Sequence, residues 1–559
     1  KVFIITSGEN MAIHAGANIA MAVQNFKNRG YASLGGIILN RRNVKREEAK
    51  VQELADDFET TVVGKLTRSE LVTDAEEQGK TLMECYPDSE MAEEYRTLAE
   101  QILSACNLQG GWVMLKRIGG EINPEGAVTT IGEAEFPVPF PLGLEFNSPV
   151  HGNWNIVHTG MLMPEAIQIY VCADNCMRGV VLTAAEMNAA GRFSFVIVEE
   201  ENLLNGNLED VTIEGVTDVL NKTEEKPKAV LLFTVCLHHF LGCDLDRVYE
   251  ELENRFPEIV FVRCFMDPIM RKSGLTPDQK LRLSMYDPLK KGTVTEEGQR
   301  RISILGSDFA LDETSDLKRL LRCNDYQIKE SPVCESWEDY LSLSDCRMML
   351  NCYPSGKAGT EWAAERLGRP FMYMPSCFDY DEIIGQLEVL SESLELLGVL
   401  DYEGEKESCE AALHEALLEV VDWPIAIDGT FHPRPMGLAR LLISHGFYVE
   451  RIYLDAISPE EENDFKWLQQ HAPELMLFAT VQVKMRVLPR KTEREMLALG
   501  QKAAWFTGSR HFVNMVQGAG LYGFDGIRRL AHLMVEAARE EKETPDLVIR
   551  KGWGCESCI

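Results

Sequence analysis

Short apolar runs alternate with longer amphipathic stretches along this chain. "GIILN" at 36–40 precedes "KREEAKVQELADDF", and "AVLLFTVC" at 229–236 precedes "DLDRVYEELENRF" and then "EIVFVRCF". Four to eight apolar, β-branched residues read as buried strands, and the stretches between them place apolar residues on one helical face. A parallel strand pair needs a crossover, which a helix usually supplies, so the alternation predicts parallel sheets covered by helices. The same beat returns as "RISILG" before "ETSDLKRLLRC", "RMMLNC" before "GTEWAAERLG", and "PIAIDG" before "PMGLARLLISHG" and "VERIYLD". These pairs divide into blocks over residues 108–290, 291–423 and 424–559, behind a first block over 1–107. The Gly- and Pro-rich segment 108–143 reads as an extended linker. The acidic helical stretch 391–421 reads as a solvated amphipathic connection.

Composition narrows the classes of function. The net charge of −32 over 559 residues repels phosphate backbones and anionic lipid, which argues against nucleic acid as a partner. The most apolar stretch, "AVLLFTVCLHHFLGC", is too short to span a bilayer and carries two histidines, so no membrane segment is expected. The chain opens on what reads as a core strand without Met, and further sequence upstream is expected. Fifteen cysteines, sparse and irregularly spaced, fit a reducing cytoplasm in which thiols stay available to metals, not a secreted disulfide framework.

Chemistry concentrates where cysteines leave apolar strands. Cys172 and Cys176 in "IQIYVCADNCMRG", and Cys236 and Cys243 in "LLFTVCLHHFLGC", each open a polar loop. A cubane iron–sulfur cluster takes soft thiolates, usually four, from stiff loops. These four thiols allow a site within one subunit, and a site bridged between two subunits with fewer thiols from each is equally open. For Cys264, Cys323, Cys334, Cys346, Cys377 and Cys409 the simpler reading is an inert small hydrophobe. The pair Cys555 and Cys558 in "GWGCESCI" is a lone CxxC, which suits metal transfer or redox exchange but does not complete a four-coordinate site.

"VFIITSGENMAIHAGANIAMAVQNF", "GGIILNRRN" and "MECYPDSEMAEEYRTLAEQIL" together resemble the C-terminal half of the nitrogenase iron protein family. The resemblance implies half of a P-loop NTPase module in which Asn40 and Tyr95 lie on the side of the nucleotide base. A GxxxxGK[ST] phosphate loop is absent from the sequence, and Thr67-Arg68-Ser69 stands where the family has Pro-Arg-Asp. ATP is therefore expected only through an incomplete N-terminal module.

The remainder, 108–559, resembles the nitrogenase component 1 family. That resemblance implies three Rossmann-like parallel α/β domains, with cluster ligands at Cys176 and Cys236. His151 stands nearest the place of a further ligand. Cys352, in "MMLNCYPSG", falls where the family anchors a metal cofactor by thiolate. Near the second, histidine anchor the chain has Val513, with His511 two residues earlier, before a "GYDG"-like turn at 523–526. Valine binds no metal, so dinitrogen reduction is not expected. The expected function is a nitrogenase-like oxidoreductase holding an iron–sulfur cluster, 4Fe-4S in type. It works as a homodimer or with a related component 1-like subunit, and takes electrons from an iron protein-like reductase to a small-molecule substrate. The alternative is a non-catalytic scaffold for cluster assembly and transfer, and beyond it a metal-free α/β binding protein.

Overall fold

The computed structural model describes residues 1–27, 34–105, 126–141, 155–266, 274–398 and 400–544, with Pro124, 143–145, 148–150, Asn153 and Leu547. The chain forms two compact units, 1–120 and 121–559.

In the first unit, strands β1 (Val2–Thr6), β2 (Leu34–Asn40) and β3 (Val62–Leu66) form a parallel sheet in that order. Successive residues of β2 point to opposite faces. Ile37 and Leu39 pack on Val51, Leu54 and Ala55 of the helix Glu47–Asp57, while Ile38 packs with Met91 and Leu98 of the helix Glu90–Ala105. That second helix lies directly over Gly64 of β3, where an added Cβ would come within 2.4 Å of Leu98 Cδ1.

The second unit begins with the short strand β4 (Val128–Thr130). Its first complete sheet has β5 (Ala166–Cys172), β6 (Phe193–Ile197), β7 (Ala229–Val235) and β8 (Val260–Met266), all parallel, in the order β6-β5-β7-β8. β5 and β7 are almost wholly apolar because both faces are covered. Ile169, Val171, Val230 and Leu232 meet the helices Leu208–Lys222 and Leu245–Arg255. Tyr170, Cys172, Leu231 and Phe233 meet Leu281 and Met285 of the helix Pro277–Met285. Each large apolar side chain so buried contributes about 1.5–3 kcal/mol.

A second parallel sheet contains β9 (Arg301–Ile304), β10 (Gln327–Glu330), β11 (Met348–Asn351) and β12 (Phe371–Tyr373) in the order β10-β9-β11-β12. The third contains β13 (Ile425–Asp428), β14 (Val449–Tyr453), β15 (Met476–Phe478), β16 (Leu497–Leu499) and β17 (His511–Val513), parallel in the order β17-β16-β13-β14-β15. β4 adds antiparallel to its β15 edge, so the segment expected to be a linker contributes a strand to the most distant sheet in sequence. The fold is thus α/β with three parallel sheets in the second unit.

The stretch expected as a solvated connection also packs. In the helix Tyr402–Val420, Cys409, Leu413, Ala416 and Val420 form a buried stripe, and the helix runs against Gly523–Arg539. No described helix is long and apolar enough to cross a membrane.

Candidate functional site

The C-terminal edges of β5 and β7, adjacent and parallel, carry the cysteine loops. Cys172 is the last residue of β5, and Cys176 lies in the first turn of the helix Asp174–Glu186 that follows. Cys236 begins the helix Cys236–Phe240 directly after β7, and Cys243 follows the left-handed Gly242. Cys176 is exposed, Cys236 and Cys243 are half-buried, and Cys172 is fully buried. Burial, with the neighbouring Cys176 and Asp174, pushes the Cys172 thiol up to about 12. Burial and Glu209 push Cys243 up to about 11.

Apolar side chains lie exposed on the same two helices: Val181 and Leu182 after Cys176, and Phe240, with Leu241 next in sequence, after Cys236. Among the described residues, no group of three or more His, Cys, Asp or Glu side chains is placed to hold a metal ion. His151, Cys555 and Cys558 lie outside the described residues. His238 is a core histidine. Its Nδ1 accepts the Val235 N–H at 3.3 Å, its Nε2 sits 3.3 Å from Thr212 Oγ1, and burial holds it down at about 4.

A second locus lies where loops from the second and third sheets meet. After β9, Gly306 takes a φ of 85°, and an added Cβ would fall 2.3 Å from Asn351 Nδ2. Opposite it, a Cβ on Gly356 would fall 2.3 Å from the Gly306 carbonyl oxygen. This close approach brings Ser307–Asp308 beside Cys352 and Tyr353, which follow β11. Ser376, His432 and Gln517–Gly518 complete the lining of a small cavity of about 30 Å³. That is room for no more than a few water molecules.

The polar groups of this cavity are tied together. Arg282 Nη2 lies 2.7 Å from Asp308 Oδ2, and its Nη1 donates to the Gly306 carbonyl at 2.8 Å. Thr159 Oγ1 donates to Asp308 Oδ1 at 3.1 Å. Gln517 Nε2 donates to Asp308 Oδ2 at 3.0 Å and to Tyr353 Oη at 2.8 Å. One buried carboxylate thereby joins segments flanking all three sheets.

Cys352 and His511 are not brought together. His511 is buried, with Nδ1 3.0 Å from the Ala537 carbonyl oxygen and its ring against Trp423, and it does not line the cavity. The histidine that does so is His432, which sequence reading missed. Its Nδ1 accepts the Arg434 N–H at 3.1 Å, so the proton of the neutral ring sits on Nε2, 3.1 Å from Ser376 Oγ. Ser376 Oγ donates in turn to the Leu521 carbonyl at 2.9 Å. A protonated Nε2 has no lone pair for a metal. Burial, together with Glu330, raises the Cys352 thiol far above its ordinary range. Neither the donor set nor the volume fits a metal cofactor held between thiolate and imidazole. The signal for His432 was its position: a histidine in the loop "DGTFHPRP" directly after an apolar strand, the edge at which open α/β sheets bind ligands.

In the first unit, Asn40 ends β2 in register with Leu66 of β3. The next residue of β3's loop, Thr67, donates its N–H to Glu94 Oε2 at 2.8 Å, and Tyr95 follows Glu94 on its helix with an exposed ring. Asn40 and Tyr95 therefore share the C-terminal end of this sheet. Ser69, at the end of the departing triplet, caps the helix Glu70–Glu77 by accepting the Leu71 N–H at 3.3 Å.

Residues 1–109 match the family of 4Fe-4S iron sulfur cluster binding proteins, NifH/frxC family. Over 102 residues the chain is 37% identical to nitrogenase iron protein 2 of Methanothermococcus thermolithotrophicus, an alignment that takes in 18% of this chain and 35% of that protein. It is 39% identical over 102 residues to nitrogenase iron protein 2 of Methanothermobacter thermautotrophicus (strain ATCC 29096 / DSM 1053 / JCM 10044 / NBRC 100330 / Delta H), taking in 18% of this chain and 37% of that one. The chain spans about a third of the length of these curated relatives. A solved structure titled "Nitrogenase Cp1 at pH 6.5" aligns with a TM-score of 0.55 at 13% identity, covering 71% of this chain and 94% of its own. This likeness is one of fold.

Proposed function

We propose that this protein is a nitrogenase-like iron–sulfur oxidoreductase that takes electrons from an ATP-dependent reductase to reduce a small molecule other than dinitrogen. The observation that carries the reading is the placement of Cys176 and Cys236 at the same edge of one sheet, after adjacent strands, with apolar side chains exposed beside them. The match of residues 1–109 to an iron–sulfur protein family and the component 1-like fold support it.

Cys176 lies exposed, with exposed apolar side chains on the same helix, which favours a bridged site. Cys176 and Cys236 would supply two thiolates, and the same pair from a second subunit, a further copy or a related chain, would complete four. Burial keeps the thiols of Cys172 and Cys243 protonated. When bound, the cluster supplies a one-electron store whose potential depends on burial and hydrogen bonding to sulfur. The exposed Val181, Leu182, Phe240 and Leu241 would close against the second subunit and exclude water.

Asn40 and Tyr95 would face a nucleotide base on an iron protein-like module, while phosphate binding requires a loop that is not among these residues. Thiolate ligation calls for a reducing, anaerobic cytoplasm. The small cavity lined by Cys352 and His432, whose Nδ1 accepts a backbone N–H, supports a substrate other than dinitrogen.

Anaerobic protein mixed with a reduced iron protein-type reductase and MgATP tests the reading. An electron paramagnetic resonance signal of a reduced cluster should grow in with ATP and disappear in Cys176→Ala and Cys236→Ala. A signal unchanged in both variants, or none in the unsubstituted protein, overturns it.

A further inference from the structure

The helices Tyr402–Val420 and Gly523–Arg539 run side by side in the same direction. Arg528 pairs with Glu405 at 2.6 Å near their beginnings, and Arg539 with Glu419 at 2.9 Å near their ends. Between their C-terminal halves lies an open trough of about 490 Å³. Small side chains create it. Ala412, Ala416 and Ala531, with the half-buried Val535, make a shallow apolar floor, and Leu418 stands at its edge with 67% of its surface exposed. Glu415 and Glu536 also line the trough, and among the described residues no cation pairs with either.

The described chain ends beside this trough. Trp423, just past the first helix, packs on His511 of β17 with ring centroids 4.7 Å apart, and His511 Nδ1 lies 3.0 Å from the Ala537 carbonyl oxygen of the second helix. Beyond that helix the Lys542 N–H donates to the Arg510 carbonyl at 2.7 Å, Thr544 Oγ1 donates to the Ser509 carbonyl, and Leu547 is buried. The C-terminal ends of both helices and residues 542–547 therefore meet at the start of β17.

Twelve residues follow Leu547, "VIRKGWGCESCI". Extended, they reach up to roughly 40 Å, whereas the trough from Arg539 back to Ala531 is about 12 Å long at the rise of a helix. They carry Val548, Ile549 and Trp553 to cover an apolar floor, and Arg550 and Lys551 to meet Glu415 and Glu536. Attachment at the same end of the trough gives them an effective concentration of about 1 mM. A second copy of the trough would set like charges against each other.

We propose that this trough is the docking site of the chain's own segment 548–559, its apolar residues over the alanine floor and its two cations against Glu415 and Glu536. Docking holds Cys555 and Cys558 beside the helix pair. The site does not depend on the function proposed above.

Binding of a fluorescently labelled peptide 548–559, followed by anisotropy in reducing buffer, tests it on the full chain and on a chain ending at Leu547, which keeps every described residue. The shortened chain should bind with a Kd of about 100 µM or tighter, and the full chain at least about tenfold more weakly because its own segment competes. Glu415→Lys with Glu536→Lys in the shortened chain should weaken binding about tenfold, and a peptide carrying Arg550→Glu and Lys551→Glu should bind that variant better than it binds the parent. No saturation up to about 1 mM in the shortened chain, equal binding to both chains, or indifference to the charge reversals would overturn the assignment.

Discussion

His432 accepts the backbone N–H of Arg434 on Nδ1 at 3.1 Å, and this single contact fixes which ring nitrogen carries the proton. Burial and the Arg434 charge hold the imidazole down at about 3, against its ordinary 6.5. Between these values the unfolded chain binds the extra proton and the folded one does not. The stability that the neutral ring contributes is therefore complete above about pH 6.5 and is lost as pH falls towards 3. At pH 5 the loss from this residue should be about 2 kcal/mol relative to neutral pH. Urea denaturation from pH 7 to 5 should show a steeper decline in the parent than in His432→Gln; parallel declines would mean that the ring titrates normally.

Asp308 and Arg282 are both buried, at 4% and 1% exposure, so neither charge has water as an alternative partner. Asp308→Asn should cost about 3–5 kcal/mol by leaving the guanidinium with Asp278 alone, and the double substitution Arg282→Met with Asp308→Leu should recover much of it. Chemical denaturation of the single and double variants measures both. Additive losses would mean that the two charges do not act as a pair.

Gly523 opens the helix Gly523–Arg539 with a φ of 63°, and a Cβ there would lie 2.4 Å from Asp316 Oδ2, the oxygen that accepts the Asp525 N–H. Gly523→Ala should destabilise by about 2 kcal/mol or more, combining left-handed strain with a displaced cap. Gly385, inside a helix with nothing within 4 Å of an added Cβ, gives the opposite expectation: Gly385→Ala should stabilise by up to about 1 kcal/mol. Melting temperatures of the two variants should move in opposite directions.

Cys172 and Cys176 stand four residues apart in very different surroundings. With its thiol pushed up to about 12, Cys172 is ionised in only about one molecule in ten thousand at pH 8. After iron is removed with a chelator, iodoacetamide should label Cys176 readily and leave Cys172 unlabelled until the protein unfolds, as read by peptide mass spectrometry. Equal labelling rates in the folded protein would show that β5 does not end in a sealed core.

The parallel sheets were legible in the sequence because strands such as β5, β7 and β11 are apolar on both faces, and only a doubly covered strand tolerates that. β4 was not, since three residues in a Gly- and Pro-rich segment carry no periodic signal and its partner β15 lies some 350 residues away. The stripe of Cys409, Leu413, Ala416 and Val420 was hidden among many acidic neighbours that occupy the other helical face. Cys236 could be singled out locally because it directly follows an apolar run, and Cys176 because it lies in the polar turn four residues beyond the end of another. His432 could not be joined to Cys352 by spacing, because their meeting depends on two different sheets turning their C-terminal edges to one cleft.

Iron and acid-labile sulfide in the anaerobically purified protein, measured beside Cys176→Ala and Cys236→Ala, bear most directly on the central claim. A four-iron cluster shared by two chains requires about two iron atoms per chain in the parent homodimer and a loss of most of them in either variant. Iron content that stays the same in both variants would contradict a cluster at this sheet edge.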